Sequence, residues 1–375
     1  MQLLKNFLIK KINNTGKITF AEFMEVVLYH PRYGYYTSER KRIGRFGDYY
    51  TSPTVHTMFG KLLAKQLEEM WEIMGKGAFT IVEIGANDGW LCHDILQCIW
   101  KEYPVLYNNL HYRIIEINPC TRERQKFVFN PIESIEKKIS WHTCTEDGFP
   151  FDEVRGCFLS NEFIDALPVH RLRVKNKTLK EIYVSYNGVK FYETEDEVSV
   201  YTLKKYFERI PVSPEEGQTY EVNLHAAKWL QHISEKLRRG FVITIDYGDT
   251  AHGIYREGNL DGTVRCFYKH TVNHDYYERL GEQDITAHVD FTNLIEAGKS
   301  FGLEVTGFTK QSHYLIALGI LEDLNTAGND FNTIMKVKNL FHPEGMGEIF
   351  KVLIQHKNIG SPQLTSLRPL HSIII

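Results

Sequence analysis

The chain has 375 residues, 43% hydrophobic and 13% aromatic, enough to bury a large core and more than one average domain requires. Its 44 basic and 47 acidic residues leave a formal charge of -3, which excludes a general electrostatic pull toward nucleic acid or an anionic membrane. The 6 cysteines show no Cys-x-x-Cys spacing, so neither a metal site nor a dense disulfide framework is expected, and a reducing compartment fits.

The N-terminus, M-Q-L-L-K-N-F-L-I-K-K, carries cations but no long apolar stretch and no small-residue cleavage site, which argues against a secretory signal. No acid precedes Glu22, as in a mitochondrial presequence, yet Leu4, Leu8 and Ile12 recur at helical spacing and favour an amphipathic first helix. No run reaches the ~18 apolar residues of a membrane span. The expectation is a protein without membrane insertion, cytoplasmic, or in the mitochondrial matrix if the source is eukaryotic.

Residues 1 to 78 read as a helical segment with one unusual loop. Ser52-Pro53 opens an apolar stripe through Val55, Phe59, Leu62, Leu63, Gln66, Leu67, Met70, Trp71 and Met74, a cap residue and a first-position proline ahead of one long helix. From Phe79 short apolar runs alternate with helical stretches: F-T-I-V-E-I, Y-R-I-I-E-I, I-S-W-H, C-F-L-S and F-V-I-T-I-D-Y. That alternation predicts an α/β core over 79–320, with a mostly parallel, doubly wound, Rossmann-like sheet. L-E-V-T-G-F-T-K-Q-S-H-Y-L-I-A-L-G-I predicts a terminal antiparallel hairpin, and 321–375 a tail that is helical to Lys357. Strand-like V-H-R-L-R-V and E-I-Y-V-S-Y-N-G-V-K-F-Y, with Asn187-Gly188 as a turn, mark an inserted substrate lobe over about 169–239. A second insertion spans about 250–284.

The run Glu83-Ile-Gly85-Ala-Asn87-Asp-Gly89 ends the first strand and opens a helix, where nucleotide ligands sit in open α/β sheets. It is neither G-x-G-x-x-G nor a P-loop, so a nicotinamide dehydrogenase is disfavoured. It matches the acid followed by G-x-G-x-G of methyltransferases, with Asn87, a residue tolerant of the left-handed region, in place of the middle glycine. Glu116 closes the second strand, where an acid can accept from both ribose hydroxyls. Glu146, in Thr145-Glu146-Asp147 after the third, is placed to meet the adenine amino group. These residues make S-adenosyl-L-methionine the expected cofactor.

The fourth strand ends in Ser160-Asn161-Glu162-Phe163-Ile164-Asp165, over the carboxyl edge of the sheet. Asn161, Glu162 and Asp165 are the candidate catalytic residues there. The loop G-D-Y-Y-T-S-P is expected to form a lid that adds Asp48 and Tyr50, facing cofactor or substrate, to the candidate catalytic residues, with Ser52 capping the next helix. Asp246, His288 and Asp290 rank second.

Long motifs in one order tie the chain to a known group. They are Phe20 to Tyr36, Gly44 to Pro53, Ser160 to Arg171, Ile245 to Gly248, Gln283 to Phe291 and Pro343 to Leu353. Through them the chain resembles, nearly end to end, the MidA-type family of S-adenosylmethionine-dependent protein arginine methyltransferases, which includes the mitochondrial assembly factor of respiratory complex I. Thr54, where that family has an acid, and Asn87 depart from its pattern. The resemblance implies methyl transfer to an arginine of a partner protein, in mitochondrial relatives a complex I subunit. Glu162 and Asp165 suit this chemistry, because a guanidinium stays protonated and must be held by charge-assisted hydrogen bonds. The alternative is a non-catalytic assembly factor that binds the same cofactor, and a homodimer stays open.

Overall fold

The computed structural model describes residues 2–39, 47–48, 51–129, 133–145, 148–256, 260–326 and 330–370. The chain forms two compact units, one from residues 50–163, 230–247 and 298–375, the other from 1–49, 164–229 and 248–297. The division at 49/50 falls inside the expected N-terminal segment.

The first unit is built on seven strands: β1 (Phe79–Ile84), β2 (Leu110–Ile115), β3 (Ile139–His142), β4 (Val154–Asn161), β5 (Leu237–Asp249), β6 (Glu304–Lys310) and β7 (Phe350–Lys357). Their order across the sheet is β6-β7-β5-β4-β1-β2-β3. Pairings among β1 to β5 are parallel, and β7 runs antiparallel to both β5 and β6. Neighbours along each strand, such as Ile81 and Val82, Phe158 and Leu159, or Val242 and Ile243, are all at most 1% exposed. Successive side chains point to opposite faces, so the sheet is covered on both sides, as the continuous apolar runs require. One face packs on α1 (Met58–Ile73), through Phe59, Leu63, Leu67 and Met70, and on α2 (Trp90–Glu102), through Leu91, Ile95 and Ile99.

Three expected elements differ. The long helix from Ser52 is two helices, Ser52–Val55 and α1, because the His56 ring Nδ1 accepts the Met58 N–H at 3.1 Å and interrupts the ladder. The sheet does end antiparallel, but the second strand of the expected hairpin is the helix Gln311–Leu318, stopped by Gly319 at φ 101. Its place is taken by β7, in the segment expected to be helical tail. Lys351, Gln355 and His356 are buried in β7, and the Thr306 hydroxyl meets the His356 Nδ1 at 2.8 Å across the β6–β7 pair.

The other unit holds a five-stranded antiparallel sheet of Ile18–Thr19, His170–Lys175, Thr178–Tyr186, Phe191–Asp196 and Thr219–Val222, with Gly188 at φ 92 in the expected Asn-Gly turn. A smaller sheet joins Arg265–Tyr268, Thr271–Asn273 and Asp284–Thr286. The helix Phe20–Tyr29 begins on a capping box, Thr19 Oγ1 accepting from the Glu22 N–H and the Glu22 carboxylate from the Thr19 N–H.

Candidate functional site

The parallel register sets Ile115, Ile84, Ser160 and Thr244 level at the carboxyl edge, so the segments that follow them share one edge. Ligands of open α/β sheets bind there.

After β1 the chain turns sharply. Gly85, Asn87 and Gly89 all have positive φ, at 77°, 48° and 87°, and Gly89 caps α2. Asn87 takes the left-handed conformation that its type tolerates. A Cβ on Gly85 would lie 3.2 Å from Phe163, and one on Gly89 3.1 Å from the Phe129 ring and 3.2 Å from Gln125. Glu83 is 2% exposed beneath this turn, where burial pushes its carboxyl up to about 7 against the opposing pull of a 2.8 Å hydrogen bond from Tyr112. Its carboxyl therefore links β1 to β2 inside the unit.

At the end of β2 the half-buried Glu116 accepts the Asn118 N–H at 2.8 Å on one carboxylate oxygen and the Gln125 Nε2 at 3.4 Å on the other. Gln125, fully buried on α3 (Pro119–Phe129), also donates to the Asn87 carbonyl at 2.6 Å and accepts from Trp141 Nε1 at 2.9 Å. Sequence reasoning missed Gln125. The available signal was a polar residue between Thr121 and Phe129 on the buried face of α3.

At the end of β4 Glu162 adopts φ 53, uncommon for a residue with a side chain. Its Oε1 accepts from the Ser52 N–H at 3.1 Å and from Asn161 Nδ2 at 2.9 Å. Asn161 is 6% exposed, and its Oδ1 is buried with no hydrogen-bond partner. Asp246, fully buried in the last part of β5, accepts the Phe163 N–H at 3.2 Å. Asn161, Glu162, Ser52 and Asp246 are thus brought together. Ser52 enters as a donor to Glu162, in addition to starting its own short helix.

Asp165 and Asp48 lie in the other unit. Asp165 is 6% exposed, with its backbone carbonyl accepting from the Ala287 N–H at 3.0 Å. Asp48 is no open lid acid: it is 1% exposed, with Tyr35 donating to one carboxylate oxygen and the Lys269 N–H to the other, both at 2.8 Å. Asp290 caps the helix Phe291–Ser300, accepting from the Asn293 N–H and the Tyr206 hydroxyl, and burial pushes its carboxyl up to about 6. His288 is exposed. Tyr50 and Glu146 lie outside the described residues.

The strand order, a positive-φ turn after β1 and an acid following β2 define a Rossmann-like α/β unit of the class that binds nucleotide ligands at the carboxyl edge of its sheet. The family described as "Putative S-adenosyl-L-methionine-dependent methyltransferase" matches residues 62–309, and the chain belongs to it. It is 28% identical over 382 residues to the protein arginine methyltransferase NDUFAF7, mitochondrial, of Rattus norvegicus, covering 94% of this chain and 84% of that one. With the Homo sapiens protein of the same name it shares 28% identity over 383 residues, 94% of this chain and 83% of the relative. Its structure is similar to that of a Burkholderia thailandensis protein crystallised with S-adenosyl-homocysteine, with TM-score 0.88, 26% identity, and 99% and 96% of the two chains covered. The chain is an S-adenosyl-L-methionine-dependent methyltransferase. Its own residues fit that cofactor: an unbranched, positive-φ turn for close backbone approach, and a carboxylate at the end of β2 held by donors on both oxygens.

Proposed function

We propose that this enzyme methylates an arginine side chain of a partner protein, and that Asn161 and Glu162 hold the guanidinium at the end of β4. The observation that carries this reading is the buried, unpartnered Oδ1 of Asn161 beside the Glu162 carboxylate, whose backbone is held in the left-handed region. Such strain persists where the surroundings over-determine it, and it concentrates at functional sites. A guanidinium has five N–H donors and no acceptor, so a site made of an orphaned carbonyl oxygen and a carboxylate suits it, and suits a hydroxyl or carboxylate acceptor less. The relatives named as protein arginine methyltransferases support the same acceptor class.

The bound cofactor supplies an electrophilic methyl on a sulfonium. A guanidinium nitrogen would take that methyl as the S–CH3 bond breaks, with S-adenosylhomocysteine as the leaving group and the nitrogen's proton passing to water. The roles of this chain are orientation and charge: Asn161 Oδ1 and Glu162 fix the plane of the cation, while the turn at Gly85 to Gly89, with Glu116, fixes the cofactor. On this reading Glu116 accepts from the ribose hydroxyls.

The test is transfer of labelled methyl from S-adenosylmethionine to proteins of cells lacking the enzyme, with acid hydrolysis and mass spectrometry of the product. Methylarginine is expected, and Glu162→Gln is expected to abolish it. Label in methyllysine, or no enzyme-dependent label, overturns the acceptor. Asp165→Asn in the same assay decides whether that acid takes part.

A further inference from the structure

We propose that Gln125 is a positioning residue for the cofactor, setting the ribose-binding carboxylate of Glu116 against the turn that follows β1. The inference rests on the ribose reading of Glu116.

The orientation of the Gln125 amide is fixed by its partners. Trp141 Nε1 can only donate, and it lies 2.9 Å from Gln125 Oε1. The Asn87 carbonyl can only accept, and it lies 2.6 Å from Gln125 Nε2. The second Nε2 hydrogen is left for Glu116 Oε2 at 3.4 Å. One fully buried amide thus ties the positive-φ residue of the turn, the acid ending β2 and the indole on β3. No other residue type does this at the same length. Glutamate would turn an acceptor toward the Asn87 carbonyl and the Glu116 carboxylate, and methionine would offer no polar atom to any of the three.

Gly89 belongs to the same arrangement. A Cβ there would stand 3.2 Å from Gln125 Cγ, so the last glycine of the turn leaves the room that lets α3 bring its glutamine to Asn87. Gln125 then acts through its neighbours. It holds Glu116 in the rotamer that presents a carboxylate to a diol, and it holds the Asn87 peptide that shapes the turn.

The test compares S-adenosylhomocysteine with its 2'-deoxy analogue by calorimetry, in wild type, Gln125→Met, Gln125→Glu, Trp141→Phe and the double variant Gln125→Met/Trp141→Phe. The double variant removes the indole donor that Gln125→Met alone would leave without this acceptor. Wild type is expected to prefer the full ribose by roughly tenfold or more, the worth of a charged hydrogen bond. In Gln125→Met and the double variant that preference collapses, because the parent ligand weakens through both Glu116 and the turn while the analogue weakens only through the turn, and Gln125→Glu shows the largest loss. Ligand-free melting of the double variant stays close to that of Trp141→Phe. Retention of the wild-type preference in both methionine variants overturns the role of Gln125 alone. So does an equal loss for both ligands accompanied by a lowered melting temperature, which marks a purely structural residue. Equal binding of the two ligands by wild type overturns the ribose reading of Glu116 and this inference with it.

Discussion

Tyr112 on β2 donates its hydroxyl hydrogen to the carboxyl of Glu83 on β1 at 2.8 Å, inside the sheet unit and directly before the turn at Gly85. Burial outweighs this bond and pushes Glu83 up to about 7 from its ordinary 4.5. The folded chain therefore holds a proton that the unfolded chain releases. Stability from this group is complete below pH 4.5, falls as pH rises toward 7, and levels off above it, a change on the order of 3 kcal/mol at most. Glu83→Gln should lack this slope. Asp290, pushed up to about 6 by burial, carries the same sign, so the measurement is the difference between wild type and Glu83→Gln in urea unfolding from pH 4.5 to 8.5. A flat difference refutes the buried proton. Tyr112→Phe removes a donor that favours the ionised form and should shift the slope to higher pH.

Gly85→Ala places a Cβ at φ 77 and 3.2 Å from both Cβ and Cδ2 of Phe163. The left-handed conformation alone costs a side-chain-bearing residue roughly 1 to 2 kcal/mol. The contact couples the cofactor turn to the segment after β4. Gly85→Ala should lower the melting temperature and weaken S-adenosylhomocysteine, and Phe163→Ala in the same chain should restore part of the stability. Additive losses in the double variant would show that the two residues do not press on one another.

Glu116→Ala should weaken S-adenosylhomocysteine by about 1.5 to 3 kcal/mol for each charged hydrogen bond lost. The carboxylate already accepts the Asn118 N–H at 2.8 Å, so the alanine variant also frees the loop ahead of α3. Glu116→Gln separates the two effects, since its carbonyl can still accept from Asn118 while the negative charge is gone. An affinity for the glutamine variant equal to wild type would place the ribose elsewhere.

The sheet was legible because its strands are short apolar runs buried on both faces, and the cofactor edge because Gly85, Gly89 and Glu116 stand where such runs stop. β7 was not, since Lys351, Gln355 and His356 break its apolar pattern and are accommodated by partners that only the fold supplies, such as Thr306 for His356. Asp48 read as a lid acid from its tyrosine-rich neighbourhood. Two partners of its carboxylate lie 13 and 221 positions away, at Tyr35 and Lys269, and no local pattern reports them. Gln125 was hidden for the same reason, as its three partners sit on three separate segments. Residues that end strands carry a local signature, whereas residues that join segments do not.

Glu162 offers the sharpest separation of stability from activity. Its φ of 53 costs free energy that glycine would not pay, while its carboxylate accepts from the Ser52 N–H and Asn161 Nδ2. Glu162→Ala and Glu162→Gly both lose the carboxylate, but only alanine keeps a Cβ in the left-handed region. The glycine variant should therefore be more stable than the alanine variant by about 1 kcal/mol. Glu162→Gln keeps an oxygen for Ser52 and Asn161 and should melt close to wild type. If the carboxylate holds a guanidinium, all three variants lose methyl transfer by roughly 10² to 10³. Their affinity for S-adenosylhomocysteine should stay close to wild type if, as proposed, the cofactor's polar contacts belong to the turn after β1 and to Glu116. Calorimetry, melting and labelled-methyl transfer on the same preparations decide the matter. Full transfer by Glu162→Gln would reduce Glu162 to the cap of the short helix Ser52–Val55, and a parallel loss of cofactor affinity would assign it to the cofactor instead.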